Sequence, residues 1–119
     1  MNNSVTPLTQ PAFYVLLALH QHERHGYEIM KSVEQESGGS TRLGPGTLYG
    51  VIKRLLGEGL IEESGERPDP ERDDERRRYY RLTAAGRQRL GVELGRLDQA
   101  VRRARELGIN FAGAAAWTA

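Results

Sequence analysis

The chain has 119 residues, 38% of them hydrophobic, with 17 Lys plus Arg against 16 Asp plus Glu, the arithmetic of one soluble domain that buries roughly two-thirds of its unfolded surface. It contains no cysteine, which excludes disulfides, thiolate zinc sites and thiol nucleophiles together. The net charge of +1 hides an uneven distribution: residues 1–60 hold 5 basic and 5 acidic side chains, residues 61–75 hold 2 and 8, residues 76–105 hold 10 and 2, and 15 of the 17 cations are Arg.

A first helix opens at Thr9, an N-cap, carries Pro11 in its first turn, and runs to about Gln21 with Phe13, Leu16, Leu17 and His20 or Leu19 at helical spacing. Its apolar stretch Phe13 to Leu19 is far shorter than the roughly 20 residues of a membrane span. No signal-type segment is read, so a cytoplasmic location and no membrane partner are expected. His22 to His25 forms a polar link. After Gly26, the residues Tyr27, Ile29, Met30 and Val33 mark a second amphipathic helix, stopped by Gly38 and Gly39.

Leu43-Gly44-Pro45-Gly46-Thr47 is turn chemistry leading into a third helix that ends at Gly59. Leu60 to Glu63 reads as a short strand entering a loop punctuated by Gly65, Pro68 and Pro70, and Arg76 to Leu82 alternates as a half-buried strand. Together they predict a hairpin with a long tip. Thr83 caps a last helix in which Leu90, Leu94, Leu97, Val101 and Ala104 are spaced 4, 3, 4, 3, a heptad seam that suits dimerisation. The segment 109–119 is Ala- and Gly-rich around Phe111 and Trp117. It reads as a mobile tail, or as aromatics docked on the domain or a partner.

The third helix carries the most information. Projected at about 100° per residue, Leu48, Val51, Ile52, Leu55 and Leu56 share one arc of about 140°, with Tyr49 on its border, and that face is expected in the core. Gly46, Thr47, Gly50, Lys53, Arg54 and Gly57 lie opposite. Small residues flanked by two cations and a hydroxyl suit close approach to a DNA major groove, where Arg matches guanine edges and phosphates. A merely solvated helix face is the competing reading.

Three short helices followed by a hairpin make a winged helix-turn-helix: mostly α with a small β-hairpin, plus a C-terminal dimerisation helix. In that arrangement Arg76, Arg77, Arg78 and Arg81 on the wing reach phosphates or the neighbouring minor groove. Alternatively they pair with the acidic residues Asp69, Glu71, Asp73, Asp74 and Glu75, which would also lower non-specific affinity. The chain divides into an N-terminal arm (1–8), a winged-helix domain (9–82), a dimerisation helix (83–108) and a tail (109–119).

A metal site at His20, His22 and His25 is disfavoured, since the first two lie about 200° apart on a helix. An enzyme is not expected, because the acids cluster in a Pro-rich loop that offers no rigid cleft. No cofactor and no metal are implied. A winged helix that binds protein rather than DNA is the remaining alternative.

Four strings resemble the PadR-type transcriptional regulators: His25-Gly26-Tyr27-Glu28, Gly44-Pro45-Gly46-Thr47-Leu48-Tyr49, Leu55 with Gly59-Leu60-Ile61, and Arg78-Tyr79-Tyr80-Arg81-Leu82-Thr83 with Ala85-Gly86. They are in register across residues 12 to 86, and the short last helix is similar to the small type of this family. The resemblance implies a homodimeric winged-helix repressor of double-stranded DNA. It places Thr47, Tyr49, Lys53 and Arg54 on the DNA-facing helix, Arg78 to Arg81 on the wing, and Tyr27, Leu48, Tyr80 and Leu82 in packing. The whole reads as a ligand-responsive repressor on an inverted-repeat operator, released by a small hydrophobic or aromatic effector between the dimerisation helices and the DNA-binding domains. Phe111 and Trp117 are candidates to line that pocket.

Overall fold

A computed structural model describes residues 6–69 and 72–111, and of residues 69 and 72–76 the backbone alone. Helix α1 (Gln10–Gln21) is started by Thr9, whose Oγ1 accepts from the Ala12 amide at 3.2 Å. Its buried stripe is Ala12, Val15, Leu16 and Leu19 together with Ala18. Phe13 and Leu17 lie at the edge of that stripe, half-buried against it.

The link after α1 is not irregular. Arg24–His25 form strand β1, and helix α2 (Gly26–Glu36) follows directly. His25 closes a capping box: its Nδ1 accepts from the Glu28 amide at 3.3 Å, while Glu28 Oε1 accepts from the His25 amide at 3.1 Å. Ile29 and Val33 point inward. Tyr27, expected in packing, is instead 47% exposed, with the Lys31 ammonium 5.2 Å from its ring centroid.

Helix α3 (Pro45–Gly57) begins with the fixed φ of proline and buries Leu48, Val51, Ile52 and Leu55. The chain then turns at Gly59, whose φ of 75° lies in the region glycine adopts freely. Strands β2 (Ile61–Asp69) and β3 (Arg72–Leu82) pair antiparallel, and β1 adds to the other edge of β3 through Arg24↔Tyr80 and His25↔Tyr79. The order β1-β3-β2 makes a three-stranded sheet. Both hairpin strands run further than expected from the sequence, so the tip between them is short. Pro68 is accommodated because β2 is an edge strand, and register shifts at Glu63/Gly65 and Pro68/Asp69 absorb the irregular residues.

Helix α4 (Ala84–Glu106) is capped by Thr83, whose Oγ1 accepts from the Gly86 amide at 3.0 Å and whose hydroxyl donates to the Gly59 carbonyl at 2.7 Å. The first turn of α4 sits hard against the end of the α3–β2 turn. A Cβ at Gly86 would fall 2.0 Å from the Leu60 carbonyl oxygen, so only glycine fits there. The core gathers where α1, α2, α3 and the base of the hairpin meet: Val15, Leu16, Ile29, Val33, Leu48, Ile52, Leu55 and Ile61 are its most buried side chains, each contributing about 1.5–3 kcal/mol of transfer free energy. The molecule is mostly helical with a small antiparallel sheet, a winged helix-turn-helix.

Candidate nucleic-acid interface

The two faces of α3 separate as the periodicity requires. Its aliphatic side is sealed in the core, while Gly46, Thr47, Gly50, Lys53, Arg54 and Gly57 are exposed, and a Cβ at Gly46, Gly50 or Gly57 would meet nothing within 4 Å. No segment of the described chain covers this face. Tyr49 is 47% exposed but leans back: a Cβ on Gly26 would lie 2.2 Å from its hydroxyl oxygen, so its ring rests on the start of α2. Arg54 also borders a partly open pocket of about 150 Å³, whose lining includes Thr6, Pro7 and Leu8 of the arm together with Glu58 and Arg89.

On the wing, Arg81 pairs with Glu62 at 2.7 Å, directly across the ladder, and Arg78 with Glu63 at 3.6 Å. These partners belong to the facing strand, not to the acidic tip. All four side chains are about half exposed or more, so each pair contributes at most about 1 kcal/mol and can be exchanged for a phosphate. Arg77 is half-buried. The side chain of Arg76 and those of Asp69, Glu71, Asp73, Asp74 and Glu75 lie outside the described residues, as does Trp117.

The seam of α4 divides. Leu90, read as its first position, is only 4% exposed and belongs to the domain's own core, because the first turns of α4 lie against α1 and β3. Leu94, Leu97 and Val101 are 43%, 39% and 37% exposed, and Ala104 is half-buried, so the apolar stripe without cover in the single chain starts one position later. Phe111 packs toward its own helix, with the Arg105 guanidinium 5.9 Å from its ring.

Two charged groups escaped the sequence reading. Glu93, in the middle of α4, is 4% exposed, and it ties the helix to the arm by accepting from the Leu8 amide at 3.2 Å while pairing with Arg96 and Arg89. Burial pushes its carboxyl up, but the bonds from Arg96 and Leu8 and the charges of Arg96 and Arg89 outweigh burial and hold it below the usual range. Arg89 also donates to the Thr6 carbonyl. Glu23, just before β1, accepts from Arg67 Nη1 at 2.9 Å, from Arg67 Nη2 at 3.1 Å and from the Ser64 hydroxyl at 2.6 Å. The Arg67 bonds, then the Ser64 bond, bring its carboxyl down to about 2. Neither group had a signal in the sequence, since each reads as a solvated acid. Among the described residues no group of three His, Asp or Glu side chains is placed to hold a metal ion, and His25 works as a helix cap packed edge-on to Tyr79 at 5.3 Å. No helix among the described residues is long and apolar enough to cross a membrane.

Comparison with known proteins agrees with this geometry. Residues 15–92 match the transcriptional regulator PadR-like family. A 37.1 kDa protein in transposon TN4556 of Streptomyces fradiae is 42% identical over 79 residues, which cover 66% of this chain but only 20% of that relative, so the chain spans about a fifth of its length. Among solved structures, a PadR family transcription regulator from Clostridium difficile R20291 is 24% identical, with a TM-score of 0.68 over 83% of this chain and 98% of that one, and shares the fold. Bacillus subtilis PadR in complex with operator DNA is 25% identical, with a TM-score of 0.60 over 70% of this chain and 45% of that one. With the matched span taking in α2, α3, the hairpin and the start of α4, the chain belongs to the PadR-like family of transcriptional regulators.

Proposed function

We propose that the chain is a sequence-specific DNA-binding regulator that acts as a homodimer on an inverted-repeat operator and represses by occluding a promoter. The observation that carries this reading is the bare, glycine-lined face of α3, with Thr47, Gly50, Lys53 and Arg54 open to solvent. Thr47 and Gly50 allow close approach to base edges, Tyr49 flanks them with its ring turned back toward α2, Lys53 and Arg54 supply charge, and Arg76, Arg77, Arg78 and Arg81 present cations to flanking phosphates. The solved PadR complex with operator DNA supports the same use of the fold.

Dimerisation runs through Leu94, Leu97, Val101 and Ala104 of α4, and a twofold axis then sets two half-sites about one helical turn apart. A small hydrophobic or aromatic effector releases the DNA by preferring a dimer whose half-site spacing misfits it. The effector is read as binding between the dimerisation helices and the DNA-binding domains, where a twofold pair of chains would enclose it. A titration against genomic fragments tests the reading. Binding that weakens steeply as salt rises fits a groove-bound helix, and absence of binding at low salt points to a protein-interaction module instead.

A further inference from the structure

Three ion pairs of the hairpin differ in what they tie together. Arg78–Glu63 and Arg81–Glu62 tie one strand of the wing to the other and leave its direction free. Arg67–Glu23 ties the wing to the link before α2, and it does so at a particular place. The ladder between β2 and β3 shifts register between Glu63 and Gly65, so Ser64 is the bulge residue, and Gly65 has a φ of 129° that suits glycine. A bulge bends and twists the strand that carries it. Arg76, Arg77 and Arg78 lie on the tip side of that bend, opposite Pro68, Arg67 and Glu66, whereas Arg81 lies on the body side, opposite Glu62. The bend therefore decides how the strand segment that carries three of the four wing arginines is directed.

Glu23 holds both sides of this bend at once. Its carboxylate takes the Ser64 hydroxyl at the bulge and both terminal nitrogens of Arg67, three residues further toward the tip. Arg67 Nη2 also donates to the Ser64 carbonyl at 3.1 Å. The guanidinium lies 4.0 Å from the Tyr79 ring centroid, and Tyr79 packs edge-on against His25, the cap of α2. A fork-to-fork carboxylate contact fixes orientation as well as distance. A continuous set of contacts thus runs from the start of α2, the brace of α3, to the bend of the wing.

We propose that Glu23 is a positioning residue that sets the angle of the wing, holding Arg76, Arg77 and Arg78 at a fixed offset from α3 so that both elements meet one duplex. The role rests on the DNA-binding reading, and its sign separates it from simple electrostatics. Removing an acid from a DNA-binding protein ordinarily tightens its hold on a polyanion. Removing Glu23 is expected to loosen it, because the wing's contacts are lost with the angle.

The test compares Glu23→Gln with Glu36→Gln, which deletes the same charge at the end of α2 away from the wing. Fluorescence anisotropy on a mixed-sequence duplex of about 30 base pairs, long enough for two half-sites, gives affinity and salt slope. Amide hydrogen exchange of 65–67 and 77–79, without DNA, reports the order of the bend. Glu23→Gln is expected to bind roughly fivefold more weakly, with a slope shallower by about 1 and faster exchange in those strands, while Glu36→Gln binds at least as tightly as the parent. A Glu23→Gln chain that binds as well as the parent, or one whose exchange is unchanged, overturns the proposal. A parent chain that binds no duplex overturns the DNA reading instead, and the exchange rates still decide whether Glu23 orders the hairpin.

Discussion

Replacing Leu97 tests where two copies of the chain meet. In the single chain Leu97 is 39% exposed, between Leu94 at 43% and Val101 at 37%, three apolar side chains on one stripe of α4. Full burial of a leucine is worth about 1.5–3 kcal/mol, so the portion still open is worth about 0.6–1.2 kcal/mol for each copy. A twofold axis brings two copies together, and Leu97→Ala therefore weakens the dimer by about 1–2.5 kcal/mol, roughly one to two orders of magnitude in dissociation constant. Leu97→Glu adds the cost of desolvating an unpaired carboxylate in each protomer, several kcal/mol more, and leaves monomers at micromolar concentration. The fold of each protomer is little affected, because the side chain makes limited contact inside its own chain. Leu90→Ala, by contrast, empties a core position and lowers the melting temperature through about 2–5 kcal/mol of lost stability. Analytical ultracentrifugation across a concentration series separates the two. A Leu97→Glu chain with the parent's dissociation constant would refute the placement of the interface on this stripe.

Gly86→Ala is expected to destabilise the fold by about 2–4 kcal/mol, seen as a fall in urea midpoint, because the added methyl meets the Leu60 backbone carbonyl and cannot push it aside. Gly26→Ala costs less, since its methyl meets the end of the exposed Tyr49 ring, which can swing away. Acid titration has a defined direction. Glu23, at about 2 in the folded chain against an ordinary 4.5, and Glu93, also lowered, bind protons more readily when the chain is unfolded. The stability they contribute is complete above about 4.5 and drains as pH falls toward 2, so the melting temperature drops in that window and Glu23→Gln drops less steeply. Glu62→Gln with Glu63→Gln frees Arg81 and Arg78 from their cross-strand partners, and non-specific duplex affinity should rise by roughly three- to tenfold at low salt.

The helices were legible because periodicity and caps agree. Thr9, Pro45 and Thr83 mark their starts, and the apolar residues of α3 recur at the spacing that puts Leu48, Val51, Ile52 and Leu55 on one side. The opposite face could be named residue by residue for the same reason. Strand β1 was invisible, since two residues offer no alternation to read and Arg24 and His25 pair only because Tyr79 and Tyr80 lie beside them. Gly65 and Pro68 looked like loop residues, yet an edge strand tolerates a proline and a bulge absorbs the extra residue. The heptad reading of α4 gave the stripe but not its partner: Leu90 is claimed by the chain's own core, while Leu94 onward is not. Arg81 and Arg78 pair with Glu62 and Glu63 because the register puts those acids across from or diagonal to them, information that sequence distance does not carry. Glu23 and Glu93 act over 44 and 85 residues of separation, which no local pattern could reveal.

The claim on which the account depends is that the open face of α3 sits in a DNA groove. Lys53→Ala combined with Arg54→Ala removes its two cations without touching the core, because both are exposed. Plotting log affinity for duplex DNA against log salt should give a steep negative slope for the parent and, with two cations lost from each protomer of the dimer, a slope shallower by up to about 4 for the double variant, with dimerisation and melting temperature unchanged. Identical slopes and affinities for the two chains would contradict it.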